Sequence, residues 1–238
     1  MTKQTPVQIY LPGRLNTAQF RRYSALDGED FNNPVKEFLG RLEVVNEELL
    51  AGSQKLVLAV EQATHVILIP VKGSVALNGP HNGITTFNAG ELLIHTVPAN
   101  HSIHLANPLG ADIIRFLQIR IKAGQPVNAS SWVLLNFDLK GRRNQLMPII
   151  ASAIENKISR QLLFTLHLGQ FEDQKEALYK IAGENSLFFV FVIAGAFEVE
   201  GNLLGEKEGL ALREKQEVKL VATRNNAMVL VVEIAKEA

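Results

Sequence analysis

Cysteine is absent from the 238 residues. That excludes disulfide staples, thiolate metal sites, iron–sulfur clusters and a cysteine nucleophile together, and makes a reducing cytoplasm the expected setting. Net charge is missing too: 24 basic side chains balance 24 acidic ones. No basic field draws the chain to phosphate backbones or anionic lipid, so neither a nucleic acid nor a membrane is an expected partner. Long apolar runs are also lacking. The longest, Leu187–Ala194, falls far short of the ~20 residues that a membrane helix needs. The opening MTKQTPVQIYLPGR has no apolar core of the kind a signal peptide carries, and a soluble, unprocessed chain is expected. Phosphate-binding loops, dinucleotide fingerprints and nucleophile elbows do not occur. VKGSVALNG holds a Gly-Ser pair without the strand, turn and helix that a serine hydrolase requires.

What is present is a succession of short segments rich in Val, Ile, Leu and Phe. KLVLAV, HVILIPVKGSVALNG, GITTF, ELLIHTV, HSIHLAN and DIIRFLQIRI are separated by Gly, Asn and Pro, the spacing of an all-β barrel or sandwich. Helical periodicity is convincing only over RRNQLMPIIASAI (142–154), where Pro148 limits the start of the helix. The second half repeats the first. ILIPVKGSVALNG (67–79) lies over VFVIAGAFEVEG (190–201), with Gly73 on Gly195 and Gly79 on Gly201. Such punctuation predicts two like domains: an N-terminal barrel over 1–125, a connecting segment with a short helix over 126–160, and a C-terminal barrel over 161–238. Ile67, Ile69, Val190 and Val192 are expected to line the barrel cores.

The order of a strand, a glycine, a second strand, AGE, and then PAN followed by His and Asn resembles the cupin superfamily. In its duplication the chain is similar to the pirin-like bicupins. FNNPVKEFLGRLEVVNEELLAGS (31–53) resembles that family's opening segment, and LGQFEDQKEALYKIAGENSLFFVFVIAGAFEVEGNLL resembles its C-terminal barrel. The resemblance runs from Phe20 onward. It implies an all-β fold of two cupin-type barrels with a few short helices. In metal-competent members it implies one divalent cation such as iron in the N-terminal barrel, held by an H-x-H pair and a downstream H-S-E triplet. Some relatives oxidise flavonols such as quercetin, and an animal relative acts as a transcriptional cofactor.

Carried over residue by residue, the resemblance implies a degenerate metal site. Alignment on Gly73 places the H-x-H pair on Ala59 and Glu61. Alignment on HLANP places the downstream histidine on His104 and the triplet's glutamate on Ala106. No cofactor is expected, and the pocket is read as Ala59, Glu61, His65, His104 and Ala106. A cation, if held, would take Glu61, His65 and His104, a two-histidine, one-carboxylate set of the open non-heme iron type. Geometry opposes it: on an uninterrupted strand Glu61 and His65 stand ~13 Å apart, and residues 62–64 contain neither glycine nor proline.

Each of these residues also has a plain reading. His65 heads an apolar run and reads as a barrel residue bonded to backbone, while Glu61 reads as a solvated strand residue. His104 shares parity with Ser102 and Ala106 and is expected to turn inward, with His101 facing solvent. From Gln161 onward His167 is the sole histidine, so the second barrel reads as structural. Three functions are compatible with this pattern: a scaffold binding a small molecule or a protein partner, a metal-dependent dioxygenase of quercetin 2,3-dioxygenase type, or an interaction module resembling the transcription-cofactor branch.

Overall fold

The structure is a computed structural model that describes residues 7–10, 13–16, 20–27, 33–78, 83–139, 141–150 and 162–236. Gly79 and residues 151–161 lie outside them. In chain order come β1 (Val7–Tyr10), β2 (Gly13–Asn16), β3 (Phe20–Asp27), α1 (Asn33–Leu39), β4 (Leu42–Leu50), β5 (Lys55–Val60), β6 (Thr64–Lys72) and β7 (Ser74–Asn78). Next are β8 (Ile84–Asn88), β9 (Glu91–Val97), β10 (His101–Ala106), β11 (Ile114–Lys122), β12 (Ser131–Asn136) and β13 (Leu146–Ile150). The remainder are β14 (Phe164–Phe171), β15 (Glu176–Lys180), β16 (Leu187–Ala194), β17 (Ala196–Val199), β18 (Asn202–Gly205), β19 (Gly209–Leu212), β20 (Glu217–Ala222) and β21 (Ala227–Ile234). Among the described residues no helix is long and apolar enough to cross a membrane.

The chain divides into two units, one of residues 13–36 and 41–138, the other of 1–12, 37–40 and 139–238. In the first, a seven-stranded sheet (β12-β9-β6-β11-β4-β3-β2) is joined through one apolar core to a four-stranded sheet (β5-β10-β7-β8). In the second, a six-stranded sheet (β1-β19-β16-β21-β14-β13) and a four-stranded sheet (β15-β20-β17-β18) enclose a second core. Adding ten to each label of β5-β10-β7-β8 gives β15-β20-β17-β18, and the same operation turns β9-β6-β11-β4-β3 into β19-β16-β21-β14-β13. The duplication legible in the glycines is thus a duplication of strand order. The flanking strand departs from the rule: β12 lies beside β9, whereas β1 lies beside β19.

Both halves turn at the same glycine. Gly73 and Gly195 have φ of 81° and 76°, a left-handed conformation that costs a side chain but not glycine. A Cβ added at Gly73 would meet Ile114 Cγ2 at 2.7 Å, and one at Gly195 would meet Ala227 Cα at 2.9 Å.

Alternation sorts the cores. Val66, Leu68, Leu93, Val97, Ile114 and Phe116 face the four-stranded sheet of the first unit, and Val190, Val192, Val229 and Val231 do the same in the second. Ile67 and Ile69, expected in the barrel core, are fully buried on the other face of β6. Residues 146–150, read from sequence as helical, form the edge strand β13. Pro148 explains the change: it cannot donate in a helix interior, but an edge strand tolerates it.

Leu68→Ala is expected to lower unfolding free energy by about 2–5 kcal/mol. Ile84→Ala, at a side chain 70% exposed, should change it by no more than about 0.5 kcal/mol. Denaturant midpoints of the two variants provide the check.

Candidate functional site

The ligand positions implied by the resemblance fall on β5, on Glu61 just beyond its end, and on β10, and the two strands pair antiparallel with Ile103 opposite Leu58 and His101 opposite Val60. Alternation sends every second side chain inward. The inward set is Leu58, Val60, Ile103 and Leu105, each at most 4% exposed. Ala59, Glu61 and His104 take the exposed side, and Ala106 is half-buried. The inward orientation expected of His104 is therefore reversed, since Ile103 and Leu105 hold the inner face. His101, expected in solvent, is half-buried, with its Nε2 3.2 Å from Ser130 Oγ.

His65 occupies a third place. It is buried on the face of β6 that carries Ile67 and Ile69, opposite the core side, with Nδ1 2.8 Å from Thr96 Oγ1. Burial, helped by the charge of Arg41, lowers its pKa to about 4, so the ring is neutral near pH 7. Glu61, His65 and His104 do not converge. Among the described residues no group of three or more His, Asp or Glu side chains is arranged to hold a metal ion. Four aliphatic side chains supply no donor atoms to a cation, and His101 at the end of their face is a single ligand, so the inward residues of β5 and β10 do not fit the metal that the resemblance implies.

Polar groups enter the first barrel on the opposite sheet. Asn46, Glu48, His95 and Gln118 are buried at the same parity as Leu50, Leu93 and Phe116 of the core. Glu48 Oε1 accepts from Arg22 Nε at 2.8 Å, yet burial outweighs that cation and raises the carboxyl pKa to about 7. Arg120 Nη1 donates to the Ala59 carbonyl at 3.0 Å. His95 is 3% exposed, and neither ring nitrogen has a hydrogen-bond partner. Desolvation, then the charge of His101, lowers its pKa to about 4.

The second barrel carries its polar groups at matching rungs. Glu233 stands opposite Phe188 on β16 and Thr165 on β14, as Arg120 stands opposite Val66 and Val44. Gly73 and Gly195 each lie seven residues beyond Val66 and Phe188, so Arg120 and Glu233 are equivalent, as are Asn46 and His167. Tyr179 Oη donates to Glu233 Oε2 at 2.8 Å. The backbone N–H groups of Ala182 and Gly183 donate to Oε1 at 3.0 and 3.1 Å. Thr165 Oγ1 lies 3.2 Å from Tyr179 Oη. The His167 ring meets Tyr179 edge-on at 5.0 Å, and its buried Nδ1 has no partner. Desolvation lowers the pKa of His167 against the opposing charge of Glu233, and desolvation raises that of Tyr179. These groups line a cleft of about 360 Å³ flanked by Leu146 and Leu178.

Histidine spacing does not reveal this cluster, because His167 is the one histidine from Gln161 onward. The signal was a carboxylate in an apolar strand: in AMVLVVEI, Glu233 shares parity with the inward Val229 and Val231.

Glu48 generates a pH prediction. Its folded pKa lies above the ordinary 4.5, so the unfolded state releases its proton first and stability falls as pH rises from about 4.5 to about 7. His65 and His95 act oppositely, their contribution being lost as pH falls from about 6.5 toward 4. Relative to Glu48→Gln, the protein is expected to lose up to about 3 kcal/mol between pH 4.5 and 8, measured by urea unfolding at each pH.

Comparison with known proteins agrees with this architecture. Residues 157–234 match the family model described as the quercetinase C-terminal cupin domain. No curated protein matches the chain. Among solved structures, YhhW from Escherichia coli superposes with a TM-score of 0.79 at 15% identity, covering 98% of this chain and 99% of that one. The nickel(II) complex of the same bacterial pirin gives 0.77 at 16% identity, over 98% and 100%. A quercetin 2,3-dioxygenase from Acinetobacter baumannii gives 0.76 at 13% identity, over 96% and 85%. Two barrels of duplicated strand order, matched over nearly their full length, establish that this chain has the two-barrel fold of the bacterial pirin YhhW.

Proposed function

We propose that this bicupin is a scaffold that binds a small molecule, with an N-terminal barrel that has given up its metal site. The observation that supports this reading is the set Leu58, Val60, Ile103 and Leu105, which takes the fully buried inward positions of β5 and β10, with the half-buried Leu56 and His101 at the ends of that face. A divalent cation brought there would exchange its hydration shell for methyl groups, an exchange that nothing in the set compensates. The polar groups of the other sheet do not replace the missing ligands: Glu48 is paired with Arg22, and among the described residues His95 belongs to no group of three or more ligating side chains.

A second reading, dioxygenation of quercetin type through one cation such as iron held by Glu61, His65 and His104, draws support from the family-model match over 157–234. The two readings differ in metal content. Protein purified without chelator or affinity metal, then incubated with Fe(II) or Ni(II) and desalted, is expected to retain far less than one equivalent by elemental analysis. Retention of one equivalent, lost in His104→Ala, would reject the scaffold reading in favour of the oxygenase.

A further inference from the structure

We propose that the cleft of the C-terminal barrel is a binding site for a small primary amine with an apolar body, received by Thr165 and His167 and flanked by Leu146 and Leu178. This deepens the scaffold reading and rests on it.

Proton accounting leads to the ligand class. The Glu233 carboxylate accepts from Tyr179 Oη and from the Ala182 and Gly183 N–H groups. Tyrosine has one hydroxyl proton, and Glu233 takes it. The contact between Thr165 Oγ1 and Tyr179 Oη at 3.2 Å is then satisfied by the threonine's proton. Tyr179 thus donates to Glu233 and Thr165 donates to Tyr179, and the lone pairs of Thr165 are left for the cleft. His167 adds a neutral imidazole, which keeps one nitrogen as an acceptor because burial lowers its pKa. These acceptors favour a ligand that brings donors.

Charge selects among donor ligands. Glu233 is 5% exposed, and its field reaches the cleft through low-dielectric surroundings. Lys180, also on the lining, is exposed, where water and salt screen it. The buried anion thus dominates and favours an ammonium group over a neutral amide or a carboxylate. Leu178, 54% exposed on the face it shares with Glu176 and Lys180, and Leu146 provide apolar surface for the rest of the molecule. A volume of about 360 Å³ matches the lower range of small-ligand pockets.

Calorimetric titration of the full chain with benzylamine, benzamide and benzoate tests the inference. Benzylamine is expected to bind tightest and benzoate weakest. Thr165→Val should weaken benzylamine about fivefold, the equivalent of one hydrogen bond. Leu178→Ser, at an exposed position that folding does not depend on, should weaken all three. Lys180→Ala should strengthen benzylamine. Benzoate binding as tightly as benzylamine, no binding of any probe, or benzylamine binding unmoved by both Thr165→Val and Leu178→Ser would overturn the proposal. Metal content measured on the same preparation separates the two readings: a metal-loaded protein rejects the scaffold, whereas metal-free protein without amine preference rejects this site alone.

Discussion

A β-strand offers its two faces to alternate residues, and both barrels depend on that period of two. Each strand of the four-stranded sheets presents one apolar set inward, as in Leu58 and Val60 on β5 or Val218 and Leu220 on β20. A shift of one residue would carry that set to the outside and bring Ala59 and Glu61, or Lys219, toward the core. Register therefore decides what each barrel can bind. In the N-terminal barrel it gives the fully buried inward positions of β5 and β10 to Leu58, Val60, Ile103 and Leu105, and it leaves Ala59, Glu61 and His104 on the exposed side.

The polar groups that do enter the cores are handled in two ways. In the first unit Glu48 meets an arginine, and desolvation still raises its pKa to about 7. In the second, Glu233 is surrounded by backbone N–H groups and a tyrosine hydroxyl, which replace water around the carboxylate. Arg120 and Glu233 occupy equivalent rungs with opposite charge. The duplicated frame has thus kept a polar position at one end of each barrel while the chemistry placed there diverged.

Much of this frame was legible in the amino acids. Gly73 and Gly195 mark turns that require a left-handed backbone and close approach, so their spacing carried the duplication where side-chain identity did not. The apolar runs of β6 and β16 marked central strands, though not which of their faces met the barrel core: Ile67 and Leu68 are equally hydrophobic, and only strand pairing separates them. The stretch 142–154 read as a helix because its apolar spacing suits one, while the edge position that accommodates Pro148 depends on a partner, β14, not yet formed in a local reading. The inner face of β10 is undetermined locally for a similar reason, since HSIHLA alternates either way until Ile103 is set against Leu58. The Glu233 cluster brings together β14, β15 and β21, whose convergence no local pattern encodes.

The strand beside β19 has a consequence for synthesis. Val7 pairs with Leu212 and Tyr10 with Gly209, so the second barrel is completed by a segment translated before any other part of it. All strands of the first unit are made while β1 has no partner, and its unpaired backbone groups stay open to other chains until β19 leaves the ribosome. The second barrel cannot close behind the advancing polypeptide in the order of translation. It closes by recovering its oldest strand, which links the integrity of the last barrel to the first residues described.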